Sequence, residues 1–108
     1  MPKKAIYEQE KEKLIEIFTD VEESKRKLVE GLIEDAAFIK SENYVLKLNL
    51  TEFGMVNFHP QNKQLQKPVE ASKQYLKNVN TYAVIIKTLN GVLNKNIIED
   101  DDELSDFE

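Results

Sequence analysis

His59 is the single histidine in a chain of 108 residues that has no cysteine. One imidazole without thiolates excludes a multi-histidine or cysteine-held metal site within one chain, and the missing cysteines exclude disulfides. A histidine acting as general base needs an orienting carboxylate and a nucleophile within reach. His59 stands before Pro60 with no serine or acid nearby, so its expected role is surface or loop packing. The three glycines, Gly31, Gly54 and Gly91, are isolated, so no phosphate-cradling loop is present. An acidic run beginning at Asp100 resembles a calcium loop only in part. Its sixth position is Ser105 rather than glycine, and it stops short of a bidentate glutamate at the twelfth. The expectation is a protein with no catalytic residue, metal, cofactor or small-molecule substrate.

The lysines and the acids are more informative. Formal net charge is −5, yet residues 99–108 hold seven acids and no base. The remainder has 15 basic and 13 acidic residues, and between Ala36 and Ile98 there are eight lysines against Glu42, Glu52 and Glu70. A basic-leaning body therefore carries an acidic end. Lys73 and Lys77 are four residues apart on one helix face, with Lys63 and Lys67 leading into it, and these four are candidate phosphate contacts. An ordinary solvated surface is the competing reading. Asp100, Asp101 and Asp102 with Leu104 and Phe107 make an acidic-hydrophobic segment that can bind a partner, compete with nucleic acid for the lysines, or only solubilise.

Helices must position these groups. The pattern predicts helices over about 4–18, 21–53 and 68–94, a loop over 54–67 that could hold a small hairpin, and a disordered acidic tail over 96–108. Tyr7, Leu14 and Phe18 share a face of the first, with Ile17 beside them. Thr19 with Glu22, or Asp20 with Glu23, has capping-box spacing for the restart. A seam runs from Leu28 through Leu32, Ala36, Ile39, Asn43, Leu46 and Leu50 to Phe53, widened by Val29, Ile33 and Ala37. Asn43 on that seam could specify register or oligomer state, or mark a bend. Gly54 is a natural stop, and Pro68 suits a first helical turn.

The fold class expected is all-α, a long antiparallel helical hairpin with a short N-terminal helix. Two helices cannot bury stripes this wide between them, so self-association is expected through Leu32, Ala36, Ile39, Asn43 and Leu46 on one helix and Leu76, Val79, Tyr82 and Ile86 on the other. No apolar run approaches membrane-spanning length and Met1-Pro-Lys-Lys lacks a signal-peptide core, so a cytoplasmic protein without a membrane partner is expected.

Residues 25–38 (KRKLVEGLIEDAAF) resemble the start of the central helix in short small-subunit terminases of tailed phages that infect low-GC Gram-positive bacteria. Residues 67–93, with a proline at the start, tyrosines in the middle and an I-I-K-x-L core, resemble that family's second long helix. EDDDELSDF (99–107) resembles its acidic, phenylalanine-containing tail. The resemblance implies a ring-like oligomer that recognises double-stranded viral DNA and regulates the ATPase and nuclease of a large terminase subunit. It also implies the host cytoplasm as the site of action and no catalytic residues. The chain departs from the family in having no room before the hairpin for a helix-turn-helix domain, and in a 54–67 loop without a glycine-rich acidic run. The alternative expectation is a helical interaction or regulatory adaptor that binds no nucleic acid.

Overall fold

Sustained apolar spacing of three and four residues, with no internal proline, commits most of this chain to long helices. The computed structural model describes residues 3–58 and 66–105. The elements in order are α1 (Lys3–Ile17), α2 (Glu23–Phe53), β1 (Val56–Phe58), β2 (Gln66–Pro68) and α3 (Glu70–Ser105). The fold is all-helical apart from one short antiparallel ladder, in which Val56 faces Pro68 and Phe58 faces Gln66.

The α1–α2 turn forms without either capping box. Thr19 Oγ1 donates back to the Ile15 carbonyl (3.4 Å), and Glu22 precedes α2 without a side-chain cap. Val21 supplies the reason: it is buried in the core, and its N–H closes a turn on the Phe18 carbonyl (3.1 Å). Hydrophobic anchoring rather than hydroxyl capping fixes this junction, and α2 starts at Glu23 instead of residue 21. Gly54 ends α2 at φ +83°, its N–H donating to the Leu50 carbonyl (2.8 Å).

Two boundaries of the third helix differ from the sequence reading. Pro68 belongs to β2 and not to a first helical turn; the ladder has only two strands, so a residue without an N–H is tolerated there. Val69 is the hinge, donating to the Met55 carbonyl (3.1 Å) and accepting from Ser72 (3.0 Å) and Lys73 (3.2 Å). At the other end α3 continues past Asn94 to Ser105, through most of the stretch expected to be a disordered tail. Leu89, Leu93 and Ile97 keep the four-residue spacing, and an internal glycine such as Gly91 costs only about 1 kcal/mol relative to alanine. Residues 106–108 lie outside the described residues.

α1 lies antiparallel along α2, with Lys3 ion-paired to Glu42 and Lys11 to Glu34 (3.9 Å). α3 is also antiparallel to α2, since Asn43 meets Tyr75 while Lys40 sits over the Tyr82 ring. The three helices close a core around Leu14, Phe18, Val21, Val29, Ile33, Ala36 and Leu89. Leu28, the first residue of the expected seam, is 81% exposed. The core is centred one residue on, at Val29 and Ile33, because α1 and α3 both pack on that side.

Beyond α1 only α2 and α3 remain, forming a two-helix arm tipped by the ladder. The radius of gyration is 19.6 Å with extents of 74 × 29 × 16 Å. A compact chain of this length would have about 13 Å. Among the described residues no helix is long and apolar enough to cross a membrane.

Candidate nucleic-acid and assembly surfaces

Two polar contacts lock the helices in register. Glu10 occupies the apolar face of α1 between Tyr7 and Leu14 and is only 6% exposed. It accepts a hydrogen bond from the Tyr82 hydroxyl (2.5 Å), and Lys13 Nζ lies 3.0 Å from its other oxygen. Burial alone pushes the Glu10 carboxyl up. Donation from Tyr82 and Lys13, with the charges of Lys13 and Lys40, outweighs that and holds its pKa below the ordinary value of 4.5. Burial, then the hydrogen bond to Glu10, pushes the Tyr82 phenol well above its usual range.

Asn43 provides the second lock. Its Nδ2 donates to the Tyr75 carbonyl (3.3 Å), and its Oδ1 accepts from Asn78 Nδ2 (2.8 Å). Gln74 Nε2 in turn donates to Asn78 Oδ1 (2.7 Å). The seam asparagine thus pairs α2 with α3 within one chain.

α1 fills the groove between α2 and α3 and stops short of the arm. Past Ile6 the groove stays open as a cleft of about 360 Å³ lined by Lys40, Asn43, Tyr44, Lys47, Tyr75 and Val79, with Tyr82 at its base. Both lysines are exposed and all three tyrosines are half-buried. The spacing of Lys40 and Lys47, seven residues apart, carried this signal, but only the packing of α3 brings the tyrosines beside them.

The candidate phosphate contacts are partly assembled. Lys73 and Lys77 are exposed on α3, with Lys73 Nζ 3.3 Å from Glu70. Lys67 falls in β2 and Lys63 lies outside the described residues, as does His59. Lys87 is on the same outer face, and because α3 runs on past Asn94, Lys95 joins it. At ~100° per residue the four lysines fall within an arc of about 80°, opposite the Tyr75–Asn78–Tyr82 edge that faces α2. No acid occurs between Glu70 and Glu99. From Lys73 to Lys95 the helix rises about 33 Å, close to one turn of B-form DNA.

The expected assembly residues fall into two groups. Ala36 is fully buried in the single chain and offers no surface to a second copy, while Asn43 and Tyr82 are engaged as described. Leu32, Ile39, Leu46 and Ile86 are half-buried. Leu76 is 50% and Val79 41% exposed. On α2 the edge that α1 follows through Glu34, Phe38 and Glu42 continues past the start of α1 as exposed Val45 and Leu48, which the sequence reading did not single out. Asp100, Asp101, Asp102 and Leu104 are on the last turns of α3, and Phe107 lies outside the described residues.

No family model, curated protein or solved structure matches the chain.

Proposed function

We propose that this chain is a non-catalytic DNA-packaging component of the small-subunit terminase kind. It assembles with itself, holds double-stranded viral DNA on the outer face of α3, and regulates the large subunit's ATPase and nuclease in the host cytoplasm. The observation that carries the DNA contact is the row of Lys73, Lys77, Lys87 and Lys95 on an acid-free stretch of one exposed helix face. Lysines in such a row bind phosphates without reading bases, so the contact is salt-sensitive and of low sequence specificity. Self-association is supported by the exposed Val45, Leu48, Leu76 and Val79 on the arm, where α1 no longer covers the helix pair. Copies arranged in a ring would repeat the lysine row around the assembly.

The test is retention of duplex DNA at low salt by the full chain, compared with the Lys73→Glu, Lys77→Glu double variant, together with the ATPase rate of the large subunit with and without the protein. Weaker, less salt-dependent binding in the variant is expected. An oligomer that binds no DNA at low salt and leaves the ATPase unchanged would refute the reading.

A second reading is a helical protein-binding adaptor without nucleic acid. The Lys73–Glu70 pair and the net charge of −5 favour it. Deleting residues 96–108 separates the two, since loss of a protein partner with DNA retention absent from the start supports the adaptor.

A further inference from the structure

We infer that the cleft between Lys40, Lys47 and Tyr75 receives the acidic end of α3 from a second copy of this chain. The inference rests on the self-association of the preceding reading and adds where one copy grips the next. The cleft continues the groove that α1 fills, so its shape suits another helix laid along the same path. Its chemistry is mixed: Lys40 and Lys47 at the rim, tyrosine rings and Val79 within. An occupant therefore needs carboxylates beside apolar side chains. Residues 97–104 of α3 supply both, with Ile97 and Leu104 seven residues apart and Glu99, Asp100, Asp101, Asp102 and Glu103 between them.

The chain cannot satisfy its own cleft. Tyr82 lines the cleft and Glu99 lies on the same continuous helix, about 26 Å further along its axis. Residues 99–103 lie well beyond the cleft along α3, so another copy is what brings these acids to Lys40 and Lys47. The contact is heterologous when each copy feeds the next and closes into a ring if the rotation allows. It leaves the outer lysine row of α3 free for DNA.

The test uses the full chain prepared with light and heavy nitrogen isotopes, the two forms refolded together. A zero-length carbodiimide reagent then joins carboxylates to lysines, and mass spectrometry reads mixed-isotope cross-links. Links between Lys40 or Lys47 and residues 99–103 are expected, with loss of most of them in high salt. Val79→Glu keeps every reactive group but places a like charge in the cleft, and Leu104→Ser removes an apolar anchor from the other side. Each is expected to cut these links several-fold. Absence of mixed-isotope links at these positions, or links unchanged in both variants, would overturn the inference. Native mass and DNA retention of the same preparation judge the packaging reading separately. A DNA-binding ring without these links would leave that reading standing, and linked copies that bind no DNA would sink it alone.

Discussion

Glu10 and Tyr82 are the residues whose chemistry most constrains the three-helix body. A buried carboxylate accepting from a phenol and a lysine contributes on the order of 1.5–3 kcal/mol, because losing a donor leaves charge without a partner. Tyr82→Phe is expected to destabilise the fold by about that amount, measured by chemical denaturation. The pH dependence has a definite sign. The Glu10 pKa is lowered on folding, so its contribution is present above about 4.5 and fades as pH falls through the folded value. The Tyr82 pKa is raised, so its contribution is complete below 10 and is lost only as pH rises through the folded value. Both contributions are intact at neutral pH. Glu10→Gln should therefore remove part of the acid-side loss of stability; an unchanged acid limb would show that the pair is not coupled to folding. The signal for Glu10 was present in the sequence, three residues after Tyr7 and four before Leu14 on an otherwise apolar face. Its partner was not, because a contact across 72 residues follows only from how α1 sits between α2 and α3.

At the scale of elements, Gly54 and the outer face of α3 make the sharper predictions. Gly54 holds a φ of +83° with open space where a Cβ would stand. Gly54→Ala is expected to cost about 1–3 kcal/mol from backbone strain alone. Gly31→Ala, mid-helix and equally uncrowded, should instead stabilise by about 0.5–1 kcal/mol. Equal signs in thermal denaturation would contradict this reading of the two positions. On α3, Lys87→Glu with Lys95→Glu should weaken duplex binding and flatten the log–log salt slope by about 2. Lys27→Glu, on α2 beside Glu23, should leave both nearly unchanged.

The elements also show where periodicity suffices and where it does not. The long helices and the stop at Gly54 follow from spacing and glycine chemistry. The capping boxes at Thr19 and Asp20 do not form because burial of Val21 decides the turn. Pro68 is drawn into the ladder by pairing with Val56, a non-local contact that no local preference reveals. Charge density argued for a tail without structure from residue 96, while continued apolar spacing through Ile97 and the absence of a breaker carry the helix to Ser105.

The whole molecule is too extended to cover its own apolar surface. With a radius of gyration of 19.6 Å, its arm exposes Val45, Leu48, Leu76 and Val79. Burial of apolar area is worth about 25 cal/mol per Å², so a second copy packed on the arm gains what one chain forgoes. Replacing Leu48 and Leu76 with glutamate should lower the assembled mass while leaving helicity, read by circular dichroism, close to that of the parent chain. Native mass at micromolar concentration, by light scattering or native mass spectrometry, is the most direct measurement of all. The expected result is a ring-sized multiple of the 12.5 kDa chain. A dimer or tetramer would remove the ring, and a mass equal to one chain would contradict the self-assembly on which the packaging role depends.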